Sequence, residues 1–159
     1  IRLTRNKQTI NKMDILISND HAGVKLKNKI SEFLKKEGHN VKNLGDNSGL
    51  SVDYPDFIHP LAEEISTNNK TKGIVICGTG NGVSMVANKY NKVRAALCWN
   101  KEIAVLARQH NNANILSLPA RFITTNQGIE IIKAFLKTEF EGGRHENRVK
   151  KIDKNEMGS

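Results

Sequence analysis

A cysteine followed by a glycine-rich loop is the part of this chain whose residue types and spacing best suit chemistry. Cys77 ends the apolar run Gly73-Ile-Val-Ile-Cys77, and Gly78-Thr-Gly-Asn-Gly82 follows directly. Glycines let backbone N–H groups turn toward an anion, and such groups stabilise a neighbouring thiolate. The pattern predicts a phosphate or oxyanion site with Cys77 as base or nucleophile. The alternatives are a turn without ligand and a small buried cysteine.

The loop differs from two well-known nucleotide-binding motifs. A dinucleotide fingerprint, G-x-G-x-x-G, would need glycine where Val83 stands, and no Gly-Lys-Ser/Thr of a Walker loop follows. Polar residues also follow two other apolar runs, as Asp20-His21 and as Arg121. Ligands of an open parallel sheet bind beyond the carboxyl ends of its strands. We therefore expect these residues to lie near Cys77 at one edge.

Two further candidates lie later in the chain. His110 closes a predicted helix in Arg108-Gln-His-Asn-Asn112, and a lone histidine is more often structural than functional. Arg144 and Arg148 are four residues apart, so on a helix they would project from one face and could hold one phosphate. The alternative for this basic stretch is a solvated tail.

The elements that must position these residues alternate along the chain. Apolar β-branched runs predict strands, and apolar residues at helical spacing predict helices. In the helix after His21 the apolar positions share one side, and lysines are expected on the other, exposed side. The predicted strands are 14–18, 40–44, 73–77, 93–98 and 114–118, and the predicted helices are 22–37, 55–67, 83–90, 102–110 and 126–137, with a short one after Arg144. The alternation predicts a three-layer α/β/α sandwich around a five-stranded parallel sheet.

Composition bounds the class of protein. The 159 residues contain 38% hydrophobic residues, two cysteines and a net charge of +9, which fits one soluble globular domain with an anionic partner. No segment is apolar enough to span a membrane, and two cysteines cannot build a disulfide framework, so the cytoplasm is expected. We divide the chain into a polar leader, a domain and a polar tail, at residues 1–12, 13–151 and 152–159.

Six spaced motifs carry a resemblance to the type B ribose-5-phosphate isomerases, of the ribose/galactose isomerase family. They are Asp20-His-Ala-Gly, Asp53-Tyr-Pro, Cys77-Gly-Thr-Gly-Asn-Gly, Ala87-Asn-Lys, Arg108-Gln-His-Asn and Glu141-Gly-Gly-Arg-His-x-x-Arg-Val149. The likeness runs from Met13 to about Val149. It implies a Rossmann-like fold, a homodimer with shared active sites or a tetramer, and interconversion of ribose 5-phosphate and ribulose 5-phosphate without cofactor or metal.

The resemblance also implies roles for single residues in the proton transfer. Cys77 resembles the base that moves a proton between C2 and C1. One branch of the family uses a glutamate just after the glycine loop, but Val83 stands there and cannot take a proton. Thr79 and the loop N–H groups resemble the anion hole for the enediolate, with loop residues Gly78, Gly80, Asn81 and Gly82.

Other matched residues are assigned to substrate handling. His110 resembles the residue that opens the furanose ring, with Asp20 as its counterpart and Asn111 holding substrate oxygens. Tyr54 lines the pocket. The phosphate clamp is expected from basic residues, namely His21, Arg144 and Arg148, with Arg121 as a further member.

Three other functions fit parts of the sequence. An isomerase of the same family could act on a six-carbon substrate such as galactose or allose 6-phosphate. A phosphate- or nucleotide-binding module without catalysis would keep the loop but need no cysteine base. A basic nucleic-acid binder is disfavoured, because the chain has one Trp, two Tyr and no recognisable binding motif.

Overall fold

The computed structural model describes residues 11–154, in which strands and helices alternate. The strands are β1 (Asp14–Asn19), β2 (Asn40–Asn43), β3 (Lys72–Cys77), β4 (Ala95–Leu97) and β5 (Ile115–Pro119). The helices are α1 (Val24–Lys36), α2 (Tyr54–Thr67), α3 (Asn81–Ala87), α4 (Lys101–Asn111), α5 (Thr125–Lys137) and α6 (Arg144–Lys150). A 3₁₀ turn, His21–Gly23, precedes α1.

The five strands form one parallel sheet, as the alternation predicts, and their order is β2-β1-β3-β5-β4. Cys77 of β3 is paired with Pro119 of β5, and Ile76 is paired with Asn19 of β1. Chain connections leave β1 and β3 toward opposite sides of the sheet. A crevice therefore opens beyond their carboxyl ends, where such sheets bind ligands.

Two apolar layers cover the sheet, because successive strand residues face opposite sides. Ile74 and Ile76 of β3 pack with α1, α4 and α5 on one face. Val75 and Cys77 pack with α2 and α3 on the other face. The three-layer α/β/α sandwich is confirmed, and the thiol of Cys77 faces the α2–α3 side.

Two local predictions are wrong. The helix after the glycine loop ends at Ala87 rather than Tyr90, because the Asn88 side chain bonds both backbone groups of Ala95 (2.8 and 3.0 Å) and turns the chain toward β4. Lys27 is fully buried, although the lysines of α1 were expected on the exposed face. Its ammonium donates hydrogen bonds to oxygen atoms of the segment that begins at the end of β2. The spacing of residues along α1 therefore does not predict that this side chain is buried.

Most of the expected leader 1–12, and the end of the expected tail, lie outside the described residues. The described start of the tail contacts the domain, since the Asp153 carboxylate accepts a 2.8 Å bond from the Lys92 N–H. No helix within residues 11–154 is long and apolar enough to cross a membrane.

Candidate active site

Cys77 lies at the carboxyl end of β3 with its thiol held by the loop that follows. The side chain is only 5% exposed, and the backbone N–H of Gly80 donates to Sγ at 3.1 Å. Gly80 has φ +74°, and a Cβ there would collide with Leu97. Because L residues rarely adopt this φ, glycine lets the N–H point at sulfur. The loop therefore aims one fixed backbone donor at the sulfur atom.

Two serine side chains hold the loop in place. The hydroxyls of Ser84 and Ser117 both donate to the carbonyl of Gly80 at 2.7 Å. Asn81 and Gly82, expected in the loop, form the first turn of α3, and the Asn81 N–H donates to Thr79 Oγ1 at 3.3 Å. Donors fixed in this way can stabilise developing negative charge without reorganising.

Two side chains line the loop. The guanidinium of Arg121 lies against Gly78, where a Cβ would stand 3.2 Å from Nη1, and its backbone N–H donates to the Gly78 carbonyl at 3.1 Å. The Tyr54 ring lies against Gly82, with Cζ 2.6 Å from the position of a Cβ. A Cβ at position 82 would collide with Tyr54, and one at position 78 would crowd Arg121, so both side chains lie close to the loop and could approach a ligand bound there.

The end of β1 adds two polar side chains to the same edge. Asp20 is bound to β3 through its N–H and the Ile76 carbonyl (3.1 Å), and its carboxylate accepts from the Ala22 N–H at 2.9 Å. His21 Nδ1 accepts a 3.3 Å bond from the Val52 N–H. In the neutral ring the hydrogen is therefore on Nε2, which can donate to a ligand. We call Asp20, His21, Tyr54, residues 77–82 and Arg121 the cysteine edge.

His110 lies at the other end of the sheet. It stands in the last turn of α4, and the chain then enters β5 at Ile115, which is paired with Gly73 at the amino end of β3. Cys77 is paired with Pro119, four residues further along β5. At about 3.3 Å per residue, the strand alone separates the two levels by about 13 Å. One chain does not bring His110 to Cys77.

Five residues gather around an open cavity of about 430 Å³ at this second place: His110, Asn111, Arg144, His145 and Arg148. We call them the histidine edge. The imidazoles of His110 and His145 stack with centroids 4.3 Å apart and planes 13° apart. Arg144 and Arg148 stand one turn apart on α6 and line the same cavity, so both could reach one anion.

The histidine edge is built by a turn and a buried arginine. Gly142 and Gly143 have φ +64° and +55°, which lets the chain reverse directly into α6. Arg108 is 5% exposed, and it donates to the carbonyls of Ala113 (2.6 Å) and Thr138 (3.0 Å). Arg108 thereby fixes the end of α4 that carries His110.

Sequence reasoning did not single out Arg108, His145 or Glu141. All three lie inside motifs that carry the family resemblance. Those motifs could have identified them, but functional roles were assigned only to other residues of the same motifs. His145 Nε2 lies 3.6 Å from Glu141 Oε2. Burial lowers the pKa of His145, and the neighbouring His110 and Arg144 lower it further. The carboxylate of Glu141 acts in the opposite direction.

The two cysteines differ in their surroundings. Cys98 is fully buried in the other apolar layer, and burial raises its pKa to about 12. It is a packed apolar thiol in the core. One group within the described chain could hold a metal ion: the donor atoms of His110, Glu141 and His145 lie within 4.8 Å of one another.

Comparisons with known proteins agree with this geometry. The family model described as Ribose/Galactose Isomerase matches residues 15–152. A probable ribose-5-phosphate isomerase B of Mycoplasma genitalium is 50% identical over 141 residues, covering 87% of this chain and 93% of that protein. A D-erythrulose-4-phosphate isomerase of Pectobacterium atrosepticum is 41% identical over 141 residues, covering 88% and 93%.

A solved structure also matches. It is ribose-5-phosphate isomerase B of Mycoplasma genitalium with bound ribulose 5-phosphate, with a TM-score of 0.88 and 48% identity, covering 92% of this chain and 98% of that chain. The match extends over both edges and the sheet between them. This chain belongs to the ribose/galactose isomerase family.

Proposed function

We propose that the protein interconverts ribose 5-phosphate and ribulose 5-phosphate through an enediolate, with Cys77 as the base. The observation that carries the proposal is the thiol of Cys77 held by the Gly80 N–H (3.1 Å) beside an anion-binding loop. The 48% identical relative with bound ribulose 5-phosphate supports the choice of substrate.

The proton transfer follows from this arrangement. The thiolate removes the proton from C2 of the open-chain aldose, the C–H pair becomes the C1=C2 bond, and the carbonyl pair moves onto O1. Loop N–H groups and Thr79 stabilise that charge. The thiol then returns the proton to C1 while the proton of the O2 hydroxyl passes to O1. This leaves a carbonyl at C2, a hydroxyl at O1 and the thiolate restored. One base on one face of a planar intermediate performs both transfers.

The remaining tasks belong to the histidine edge. We assign ring opening to His110, substrate hydroxyls to Asn111 and the phosphate to Arg144 and Arg148. Because these residues lie at the end of the sheet away from Cys77, a complete site needs a second copy of the chain. We propose a homodimer in which the cysteine edge of one protomer faces the histidine edge of its partner.

Exposed apolar side chains support this pairing. Leu50 (72% exposed), Trp99 (55%) and Phe122 (72%) follow the carboxyl ends of β2, β4 and β5, around the cysteine edge. Ile152 (51%) lines the cavity of the histidine edge. A contiguous exposed apolar surface around a site is typical of a face covered by a partner. In such a dimer His21 and Arg121 would meet the phosphate from the cysteine side.

A complementation experiment tests the shared site. Cys77→Ala and His110→Ala proteins are each expected to isomerise the substrate far more slowly than the wild type. After mixing in equal amounts and subunit exchange, about half the dimers are hybrids, each with one intact site, so about a quarter of wild-type activity returns. If each site lies within one chain, every hybrid site keeps one defect and no activity returns. Mixing Cys77→Ala with Thr79→Ala, on the same edge, is the matched control.

We further propose that the reaction needs no metal and that the enzyme is cytoplasmic. Turnover should be unchanged after dialysis against EDTA, although His110, Glu141 and His145 could hold an ion. Two free cysteines support a reducing compartment.

An assay panel tests the length of the sugar substrate. It compares ribose 5-phosphate, allose 6-phosphate and erythrulose 4-phosphate, the last because a 41% identical relative is an isomerase of that four-carbon substrate.

A further inference from the structure

Lys27 is a fully buried lysine that the proposed mechanism does not use. Its neighbours Lys25 and Lys29 on α1 are exposed, whereas Lys27 has no exposed surface. Its Nζ donates to the Asp46 carbonyl at 2.8 Å, to Asn43 Oδ1 at 3.4 Å and to Asn47 Oδ1. A buried amine is tolerated only when its donors are satisfied. All three acceptors belong to one segment, residues 43–47.

That segment is joined to the end of β1. The Asp46 N–H donates to the Asn19 carbonyl at 3.1 Å, and Asn19 Nδ2 donates to the Asp46 carbonyl at 2.9 Å. The same Nδ2 donates to the Asp20 carbonyl at 2.8 Å. Gly45 lies so close to Asn19 that a Cβ would stand 2.7 Å from the Asn19 backbone nitrogen. Lys27 therefore holds a segment that packs directly behind Asp20.

The segment continues to the proposed phosphate ligand. The Asp46 carboxylate accepts from the Ser48 hydroxyl (2.7 Å) and the Gly49 N–H (3.0 Å), which shapes the chain beyond it. Three residues later the Val52 N–H donates to His21 Nδ1 at 3.3 Å. This bond decides which ring nitrogen of His21 carries the hydrogen and where the ring points.

We propose that Lys27 is a positioning residue for substrate binding: its buried ammonium holds residues 43–52 against β1 and thereby orients His21 through the Val52 N–H. The proposal rests on the function proposed above, in which His21 binds the phosphate. Without Lys27 the segment loses three hydrogen bonds, and His21 loses its fixed donor. Cys77 and its loop stand on β3 and are tied by Ser84 and Ser117, so proton transfer is unaffected.

Steady-state kinetics of Lys27→Met test this role. Methionine keeps the unbranched chain and removes the donors. We expect KM for ribose 5-phosphate and the inhibition constant of inorganic phosphate to rise about tenfold, the loss typical of a charged hydrogen bond, while kcat stays within about threefold. Lys25→Met and Lys29→Met, on the exposed face of the same helix, should keep wild-type values. A wild-type KM in Lys27→Met, or a fall confined to kcat, overturns the proposal.

A double-mutant cycle separates positioning from general weakening. If Lys27 acts through His21, adding Lys27→Met to His21→Ala should not raise KM further. Additive effects overturn the proposal. Asn47→Ala, which removes one acceptor and keeps the lysine, serves if Lys27→Met does not fold, and it should raise KM in the wild-type background only. A wild-type KM in His21→Ala would instead refute the proposed phosphate role of His21.

Discussion

The cysteine edge and the histidine edge are built by different means. The cysteine edge consists of strand ends and backbone: Gly80 aims an N–H at Cys77, and Ser84 and Ser117 fix the loop. The histidine edge consists of helix ends and side chains: His110 stacks on His145, and buried Arg108 donates to the carbonyls of Ala113 and Thr138, which follow α4 and α5. Backbone donors suit a small developing charge, whereas long cationic side chains suit a phosphate that must be captured and released.

The difference explains why one chain is not a complete enzyme under the proposed function. The sheet sets a fixed separation between its two ends, and no rearrangement of loops brings α4 and α6 to β3. Each edge is well formed by itself, so pairing two copies needs only surface contact and not refolding. Substitutions at the two edges should therefore change different kinetic constants: loss of Cys77 should lower kcat, whereas loss of Arg148 should raise KM.

The largest effect is expected at the cysteine edge. Cys77→Ala removes the base, and general acid–base catalysis contributes about 10²–10⁴-fold, so kcat should fall by that factor while substrate binding persists. The measurement is turnover by absorbance, with substrate affinity measured by calorimetry. Retention of more than about a tenth of wild-type turnover would refute the assignment.

Cys98→Ala is the matched control, because Cys98 is buried on the other face of the sheet. It removes a packed sulfur and should lower the unfolding free energy without changing kcat of the folded protein. Equal loss of turnover in the two variants would show that cysteine removal disturbs the fold.

The next effect is expected in KM at the histidine edge. Arg148→Ala should raise KM by about ten- to a hundredfold, because hydrogen bonds between charged groups contribute about 1.5–3 kcal/mol. The double variant with Arg144→Ala should lose competitive inhibition by inorganic phosphate. Lys150→Ala, an exposed cation of the same helix paired with Glu146 (3.6 Å), should leave KM unchanged. Unchanged phosphate inhibition in the double variant would make these arginines a solvated basic surface.

His110→Ala should separate ring opening from proton transfer. Deuterium uptake from D₂O at C1 of ribulose 5-phosphate needs only enolisation at the cysteine edge, whereas formation of cyclic ribose 5-phosphate also needs ring chemistry. We expect the ratio of exchange to isomerisation to rise about tenfold or more, measured by NMR. Cys77→Ala should lose both together. An unchanged ratio in His110→Ala would give His110 a binding role instead.

Much of the fold could be predicted from the sequence, because β1, β3 and β5 are buried on both faces and read as largely apolar runs. Gly73–Cys77 is one example, and the glycine loop after it fixed the place of the cysteine edge. The position of β5 between β3 and β4 was not predicted, since local pattern carries no information on strand order. The separation of His110 from Cys77 follows from the parallel topology, because α4 leads into the amino end of β5 whereas Cys77 lies at the carboxyl end of β3.

The burial of Lys27 was missed for a related reason. Helical spacing distinguishes an apolar side from a polar one, but it cannot show that oxygens of a distant segment reach the polar side. Asn43, Asp46 and Asn47 provide those oxygens from a loop that follows another strand. The periodicity of a sequence cannot predict hydrogen bonds between polar residues that only the tertiary structure brings together. The residues that support the two edges, such as Ser117 and Arg108, make hydrogen bonds of this long-range type.

The smallest predicted effect is a pH dependence of stability that arises from two buried histidines, one of them at the histidine edge. Burial and the neighbouring His110 lower the pKa of His145, and burial also lowers the pKa of His39, whose Nδ1 accepts from the Met13 N–H at 3.1 Å. The unfolded chain therefore binds more protons than the folded chain between these lowered values and about 6.5, and stability is lost as the pH falls through that window.

Scanning calorimetry between pH 7.5 and 5 should show Tm falling by about 2–4 °C for each kcal/mol lost. His145→Gln should flatten the dependence, because the group whose protonation the fold opposes is gone, and His39→Asn should flatten the rest. The Cys77→Ala protein, altered only at the other edge, should keep the wild-type slope. A slope unchanged by His145→Gln would mean that the folded histidine edge tolerates protonation of His145, and that acid sensitivity arises elsewhere in the fold.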